Sequence, residues 1–226
     1  VSPDVLTLFA IRPKVRSVIS EPIVNITNAS LSPFSMNTKR IGDFIIAAIA
    51  LLVLSPVLAV LAVAVKLDSK GPVFYRQQRI GYHKKPFDII KFRTMRIDAE
   101  KEGPRLSSAT DERVTRVGHL LRKYRLDELP QFWNVLVGEM SIVGPRPERE
   151  YYINQIVKRV PAYSLIHQVR PGITSWGMVR YGYASTVDQM VERLSYDLLY
   201  LENLSFGIDI KILFHTVQTV LAGRGM

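Results

Sequence analysis

The segment FIIAAIALLVLSPVLAVLAVAV, residues 44–65, decides which folds are open to this sequence. Its 22 residues include no charged side chain, and a helix of that length can cross the hydrocarbon core of a membrane. The segment lies well inside the chain and has no cleavage-type end, which excludes a signal peptide. We therefore predict a membrane helix over about residues 41–66.

Two features of this segment argue against a simple crossing. Ser55 and Pro56 lie at its midpoint, where a proline removes a backbone donor and kinks a helix. Basic residues flank both ends, with Lys39 and Arg40 before it and Lys66 after it, and the positive-inside rule places such flanks in the cytoplasm. We therefore expect a re-entrant helix that breaks at Ser55 and Pro56 and returns. A kinked transmembrane helix is the alternative that these residues leave open.

The composition points to an anionic partner. Lys and Arg outnumber Asp and Glu by 30 to 20, and the formal charge of +10 favours a nucleic acid, an anionic lipid or a phosphorylated substrate. A nucleic-acid-binding protein would not explain the apolar segment, so we expect no nucleic-acid partner. The absence of cysteine excludes disulfides and thiolate metal sites, and four scattered histidines do not favour a zinc site.

The sequence on either side of the apolar segment differs in character. Residues 1–38 are turn-rich with short β-prone runs, and we interpret them as the remnant of an upstream domain followed by a linker. Residues 39–226 would form the main domain. Within it, two β-prone runs around a turn at residues 81–86 predict a hairpin.

Helical patterns dominate the remainder of the main domain. One helix is predicted from a cap at Thr110 or Asp111, and a second from about Leu129 to Val137. Two more are predicted over residues 187–204 and 208–221, the last of which suits burial or a membrane interface. The fold class that these elements predict is α+β and mainly helical.

The stretch RLDELPQFWN, residues 125–134, places two acids side by side shortly before a proline. A proline is tolerated only in the first turn of a helix, so this helix must begin near Asp127, which would lie at or near the N-cap. Capping is therefore the simple interpretation of Asp127, because acids are common at that position. The alternative is a magnesium-assisted phosphoryl-transfer site, in which one acid attacks and the other holds the metal.

The neighbouring cations favour the second interpretation. Arg122, Lys123 and Arg125 precede the acids, and the downstream run GEMSIVGPRPERE holds Arg146 between two prolines. A rigid Pro-Arg-Pro turn presents a guanidinium that has little entropy left to lose, which suits a bidentate contact with a phosphate.

Four motifs follow one another in a fixed order. They are the apolar helix with its Ser-Pro pair, KFRTM at 91–95, LRKYRLDELPQFWNVLVGEMSIVGPRP at 121–147 and RPGIT at 170–174. In this order they resemble the bacterial sugar transferases, over about residues 39–226. These are monotopic polyprenyl-phosphate phosphoglycosyl transferases that start exopolysaccharide, O-antigen and capsule assembly, and the long members carry a further upstream portion.

The resemblance implies a fold, an activity and a location. The fold would be a monotopic membrane domain with a re-entrant helix, a small hairpin and amphipathic interfacial helices, on the cytoplasmic face of the bacterial inner membrane. The enzyme would move a phosphosugar from a UDP-sugar to polyprenyl (undecaprenyl) phosphate through a covalent aspartyl intermediate, with release of UMP. It would need membrane lipid and Mg²⁺, and the oligomeric state stays open between a monomer and a homodimer.

The resemblance also assigns roles to residues. Asp127 would be the nucleophile, and Glu128 would be the metal ligand. The phosphates would be held by Lys91, Arg93, Arg122 and Arg146.

The loop after RPGIT departs from the family pattern. Members commonly read RPGITGWAQV, whereas this chain has Ser175, Gly177 and Met178 in the stretch RPGITSWGMV. If this loop contacts the donor, these changes concern the identity of the sugar. A non-catalytic basic membrane assembly subunit is the alternative function, although it gives the two acids and the Pro-Arg-Pro turn no purpose.

Overall fold

The computed structural model of the protein describes residues 16–17, 22–23, 33–99, 103, 106 and 111–223. The helices are α1 (Pro33–Asp68), α2 (Arg116–Lys123), α3 (Gln131–Val137), α4 (Glu150–Arg159), α5 (Trp176–Arg180), α6 (Val187–Glu202) and α7 (Phe206–Leu221). The strands are β1 (Arg16–Ser17), β2 (Pro22–Ile23), β3 (Phe74–Ile80), β4 (Pro86–Phe92), β5 (Ser141–Val143) and β6 (Gly172–Thr174). The strands form three two-stranded sheets, of which β5–β6 is parallel and the other two are antiparallel. The predicted fold class, α+β and mainly helical, is confirmed.

Helix α1 contains the apolar segment and has little packing in its middle. Within the described residues one helix, over Met36–Asp68, is long and apolar enough to cross a membrane. The side chains of Leu52, Val53 and Val60 are 77%, 67% and 68% exposed. The helical conformation continues through Pro56, and the Ser55 hydroxyl donates a hydrogen bond to the carbonyl of Leu52 at 2.8 Å. The change of direction expected at this pair stays a prediction.

Both ends of α1 are attached to the rest of the protein. Near its start, Asp43 accepts a hydrogen bond of 2.6 Å from the Ser141 hydroxyl of β5, and Lys39 pairs with Asp209 of α7 at 2.6 Å. Near its end, Val65 is buried with Phe92 and Leu121 in a small apolar cluster. The exposed middle of the helix thus lies between two anchored ends.

The hairpin of β3 and β4 separates the end of α1 from the interior. Alternate residues of a strand face opposite sides, and directly paired residues share a side. Phe74 pairs with Phe92, and their rings stack at 5.4 Å on the side that faces α1. Tyr75 pairs with Lys91, so both of these residues project from the other side.

The main core lies around the parallel pair β5–β6. Its buried residues come from β5, α4, α6 and α7, and include Val143, Ile156, Leu201 and Ile212, which are at most 1% exposed. Short helices of this kind gain most of their stability from such packing rather than from intrinsic propensity. The core therefore holds the loops at the ends of β5 and β6 in fixed positions.

Some predicted boundaries were wrong. Helix α2 begins at Arg116 and is capped by the Thr115 side chain, whose oxygen accepts from the Gly118 N–H, whereas Asp111 bonds to Arg113 instead. Thr110 lies outside the described residues. The cap lies later because Val114 pairs with Met95 in an antiparallel bridge and so stays outside the helix. Gly118 lets α2 lie against Thr94, since a Cβ at that glycine would lie 2.1 Å from the Thr94 carbonyl oxygen.

The start of α1 also differs from the prediction. The helix begins at Pro33, so its first turn and a half lies inside the segment interpreted as a linker. Most of residues 1–32 lie outside the described residues, and the interpretation as a remnant of an upstream domain stays a prediction. The predicted helices over 187–204 and 208–221 are confirmed as α6 and α7.

Candidate active site

The two acids lie in a single 3-10 turn, Leu126–Glu128, between α2 and α3. Arg125 precedes this turn with a φ of 52°, in the left-handed region that a side chain with a Cβ rarely adopts. Both carboxyl groups are buried, with Asp127 at 8% and Glu128 at 6% exposure. Helix α3 begins later than predicted, with Pro130 in the N-cap position and no side-chain cap. The capping interpretation of Asp127 is therefore wrong.

Glu128 is enclosed by cations. Its Oε1 accepts from Lys91 Nζ at 2.9 Å and from an Arg146 nitrogen at 3.0 Å, and its Oε2 accepts from Arg125 at 2.5 and 3.0 Å. Burial by itself would raise the pKa of Glu128, but the charges of Arg125, Lys91 and Arg146 outweigh it and hold the pKa well below its usual range. Glu128 is thus a permanent anion at the centre of the site.

Asp127 has the opposite environment. No hydrogen bond to its carboxylate occurs among the described residues, although its neighbour Glu128 has four. Burial raises the pKa of Asp127, and the charge of Lys91 opposes part of that rise. A buried carboxylate without hydrogen bonds is poorly solvated, and is therefore a more reactive nucleophile than one in water.

The acids open into a cavity of about 300 Å³. One end is lined by residues that follow α1 and β4, among them Pro72, Tyr75 and Ile97. The other end is lined by charged residues and by the segment before α6, including Arg149, Tyr183 and Arg193. Asp127 and Glu128 line the same cavity together with the cations that surround them.

The structure brings three of the four predicted phosphate ligands together around the acids. Lys91 and Arg146 contact Glu128 directly, and Arg122 lines the cavity while its Nε donates to the Thr94 hydroxyl at 2.8 Å. Burial lowers the pKa of Lys91, whereas Glu128 raises the pKa of Arg146 despite the burial of that guanidinium.

Arg93 is placed differently from the prediction. Its Nη2 donates to the Ser69 carbonyl at 2.6 Å and to the Ser69 hydroxyl at 2.9 Å, at the end of α1. It also lines the cavity, but the contacts that the structure shows hold the end of the membrane helix. The predicted phosphate contact of Arg93 stays a prediction.

The prediction from sequence missed two groups of residues. The sequence analysis names Arg125 as a neighbouring cation but not as a partner of Glu128. The three-residue spacing between Arg125 and Glu128 could have indicated this ion pair. Glu148 accepts from Arg193 at 2.6 Å and from Arg79 at 3.1 Å, which holds its pKa low against the effect of burial. Nothing in the sequence pairs these distant residues.

The stretch that departs from the family pattern is not a loop: Ser175 caps helix α5, and Gly177 and Met178 lie inside that helix. This stretch contacts the site. The thioether of Met178 lies 3.0 Å from Arg146 Nη1 and 3.4 Å from Arg125 Nη2. Gly177 donates its N–H to Asp197 at 3.1 Å, and a Cβ at Gly177 would lie 2.6 Å from the Arg193 side chain. The glycine is therefore required by the packing of α6 in this chain.

The acid pair has the donor chemistry that Mg²⁺ accepts, which is carboxylate oxygen. Magnesium also keeps few protein ligands and uses substrate phosphates, so a pair of acids beside a phosphate site fits it. Within the described residues no group of three or more acids and histidines is close enough to hold a metal. Of the two acids, Asp127 offers an uncommitted carboxylate, whereas the oxygens of Glu128 are already bonded to cations.

The fold and the site together define a class of protein: a mainly helical domain attached to a long apolar helix, with a buried pair of acids surrounded by cations. The model of the family described as "Bacterial sugar transferase" matches residues 34–223, and this chain belongs to that family.

Named relatives support this assignment. The chain is 43% identical over 194 residues to a UDP-N-acetylgalactosamine-undecaprenyl-phosphate N-acetylgalactosaminephosphotransferase of Aeromonas hydrophila, covering 86% of this chain and 46% of the relative. It is 41% identical over 217 residues to a UDP-glucose:undecaprenyl-phosphate glucose-1-phosphate transferase of Escherichia coli K12, covering 95% and 47%. A transferase of the same name from Caulobacter vibrioides is 41% identical over 187 residues, covering 81% and 69%. The chain thus spans about half the length of the first two relatives.

Proposed function

We propose that this protein transfers a phosphosugar from a UDP-sugar to polyprenyl phosphate, most simply undecaprenyl phosphate, and releases UMP. The observation that carries this proposal is the buried Asp127 carboxylate, which accepts no hydrogen bond from the described residues and lies in a cation-lined cavity. The names of the relatives support the two substrates, because each describes a UDP-sugar donor or an undecaprenyl-phosphate acceptor. The reaction would begin the assembly of an exopolysaccharide, O-antigen or capsule.

The chemistry has two displacement steps. An Asp127 oxygen attacks the β-phosphorus of the donor, and the bond from that phosphorus to the bridging oxygen breaks, so UMP leaves with the electron pair. The product is a phosphosugar bound to Asp127. An oxygen of the lipid phosphate then attacks the same phosphorus, and the bond to Asp127 breaks, which restores the carboxylate and yields a lipid diphosphosugar.

The surrounding charges suit both steps. Lys91, Arg146 and Arg122 line the cavity and would hold the diphosphate and stabilise the charge that develops on the leaving phosphate. Glu128 orients two of these cations through its hydrogen bonds. The burial of Asp127 restrains water, which favours the lipid acceptor over hydrolysis of the intermediate.

Magnesium belongs to this proposal as a cofactor. When bound by the acid pair and the diphosphate, the ion would offset the negative charge of the donor. Glu128 would serve as a ligand after the donor phosphates attract Lys91 and Arg146 away from its Oε1. The four charge-assisted hydrogen bonds of Glu128 otherwise give it the role of a counter-ion.

The membrane arrangement is also proposed. We infer a re-entrant α1 and a cytoplasmic catalytic domain at the bacterial inner membrane. The support comes from the two anchored ends of α1, since Asp43 and Val65 both contact the same compact domain. A helix that crossed the bilayer would require this domain to occupy both surfaces at once, on either side of a hydrocarbon core about 30 Å thick.

The test is a donor screen that measures UMP release with undecaprenyl phosphate in detergent. UDP-glucose and UDP-N-acetylgalactosamine are the first donors to try. Mass spectrometry with the productive donor alone should show a phosphosugar adduct on Asp127, and Asp127→Asn should reduce turnover by at least about a thousandfold, since an amide is a poor nucleophile. Asp98→Asn, which changes an exposed acid, is the matched control. Substantial activity in Asp127→Asn without an adduct in the wild type would refute the nucleophile.

A non-catalytic membrane subunit is the second candidate. It would explain the apolar helix, but no observation on the acid pair favours it, because the burial of two acids and several cations in one cavity is costly for a structural element. Failure of every UDP-sugar to release UMP with the wild type would favour this candidate.

A further inference from the structure

The two ends of the active-site cavity differ in polarity. At the end next to α1, three lining side chains are apolar and exposed: Phe74 at 49%, Tyr75 at 38% and Ile97 at 69%. At the opposite end the charged residues Arg79, Glu148, Arg149 and Arg193 line the wall beside Tyr183. We call the first the apolar rim, and define it as Phe74, Tyr75 and Ile97.

The apolar rim is continuous with the membrane helix. Phe92 belongs to the cluster that buries Val65 near the end of α1, and the ring of Phe74 stacks on Phe92. Leu67, two residues after Val65 on the same helix, is 82% exposed. A lipid chain that lies along the end of α1 would therefore pass close to the apolar rim.

The rim also leads to the reacting groups. Tyr75 is the direct cross-strand partner of Lys91 on the side of the hairpin that faces the cavity. Directly opposed residues of an antiparallel pair have Cβ atoms about 5 Å apart. Lys91 Nζ in turn contacts Glu128 at 2.9 Å, beside Asp127. Two side chains, Tyr75 and Lys91, thus separate the apolar surface from the acid pair.

We propose that polyprenyl phosphate reaches Asp127 over the apolar rim, with its first isoprene units on Tyr75 and Ile97 and its phosphate toward Lys91 and Arg122. This inference rests on the proposed function, and it assigns the charged end of the cavity to the nucleotide donor. The physical reason is that a polyprenyl chain cannot leave the bilayer over charged side chains without exposing its apolar surface to water. The lipid phosphate then displaces Asp127 from the phosphorus of the intermediate, as described above.

The kinetic test separates the two half-reactions. Ile97→Ser and Phe74→Ser should raise the KM for undecaprenyl phosphate about five- to tenfold, because part of an apolar contact is lost. Adduct formation from the donor alone should stay unchanged, since it needs no lipid. Ile97→Leu should behave as wild type, and Leu120→Ser is the matched control, because Leu120 is 54% exposed but does not line the cavity. Equal lipid KM values in all variants would overturn the inference, as would an equal loss in both half-reactions.

A second measurement does not depend on the donor. A polyprenyl phosphate with a diazirine in its first isoprene units should cross-link to residues 72–77 or 95–99, and undecaprenyl phosphate should compete while undecaprenol should not. Cross-links confined to the region of Tyr183 and Met190 would overturn the inference. The two failures can be told apart: absence of UMP release by the wild type rejects the proposed function, whereas UMP release with cross-links at the charged end rejects only the lipid path.

Discussion

Adjacent acids in one turn have opposite electrostatic roles in this protein. Glu128 accepts four hydrogen bonds from cations, whereas Asp127 accepts none from the described residues. The sequence places both acids among cations, but the assignment of partners depends on Arg125 and its left-handed backbone. Helix-capping statistics could not provide this difference, because the deciding contacts come from β4 and from the Pro-Arg-Pro turn.

A prediction about Glu128 separates its two possible roles. Glu128→Gln should reduce turnover at least about a hundredfold, because three buried cations lose their counter-ion. If Glu128 also binds Mg²⁺, the Mg²⁺ concentration for half-maximal activity should rise in this variant. EDTA should abolish the activity of the wild type until Mg²⁺ is restored. Glu112→Gln alters an exposed acid and serves as the control. An unchanged Mg²⁺ requirement would restrict Glu128 to the role of counter-ion, and full turnover in EDTA would remove the metal altogether.

Asp197, which accepts a hydrogen bond from Gly177 of α5, gives the stability of the protein a dependence on pH. Burial raises the pKa of Asp197 from 3.8 to about 6, against the opposing effects of Arg193 and of hydrogen bonds from Gly177 and Ser175. Because the folded protein binds this proton more tightly than the unfolded chain, the contribution of Asp197 to stability is full below pH 3.8 and is lost as the pH rises through about 6.

Asp197→Asn should therefore gain stability relative to the wild type between pH 4 and pH 7. The shift is about 2 pKa units, and at about 1.4 kcal/mol for each unit the difference in unfolding free energy should change by about 3 kcal/mol. Urea titrations in detergent at the two pH values measure it, with Asp98→Asn as the exposed control. A difference that does not vary with pH would show that the folded protein does not shift the titration of Asp197 in this range.

Among the elements, α1 shows how far sequence reasoning extends. Its length, its apolar character and the hydrogen bond of Ser55 to a preceding carbonyl all follow from local sequence, as do the hairpin and the last two helices. The contacts of Asp43 with Ser141 and of Arg93 with Ser69 do not, because each joins parts of the chain that no periodicity relates. The parallel strands β5 and β6 could not be predicted either, because each has only three residues and is too short to show a periodic pattern.

The Ser55–Pro56 pair is expected to set the direction of α1. Replacing both Ser55→Ala and Pro56→Leu should straighten the helix, and 22 apolar residues at 1.5 Å each would span roughly 33 Å, enough to cross the bilayer. The chain has no cysteine, so single cysteines at the exposed positions Asn37 and Lys70 can be probed with a membrane-impermeant maleimide in intact cells. Both should be protected in the native sequence, and the double variant should expose one of them or lose the anchored contacts of one end. Labelling of one position without either substitution would establish an ordinary transmembrane helix.

For the whole molecule, the attachment of α1 to the last helix fixes how the domain meets the membrane. Lys39 near the start of α1 pairs with Asp209 near the start of α7, and Asp209 accepts from the hydroxyl of the buried Tyr200 at 2.8 Å. A separate face of α7 is apolar and exposed, with Phe206 at 77% and Phe214 at 62%. The same connection thus orients an apolar helix face beside the root of the membrane helix, which is the geometry expected of an interfacial helix.

This arrangement predicts that α7 lies in the lipid interface although α1 alone would anchor the protein. A cysteine that replaces Phe214 can carry an environment-sensitive fluorophore, and its emission should shift to the blue and be quenched by nitroxide-labelled lipid when the protein is placed in bilayers. A fluorophore on a cysteine that replaces Asn154, on the exposed side of α4, is the matched control, and its emission should be neither shifted nor quenched.

The physical reason for the expected insertion is that five exposed apolar side chains of α7 follow one another at helical spacing and would otherwise remain in water: Phe206, Ile210, Phe214, Val217 and Leu221. Equal quenching at the two positions, or none at residue 214, would mean that the domain stands away from the bilayer on α1, and the orientation inferred from the Lys39–Asp209 pair would be wrong.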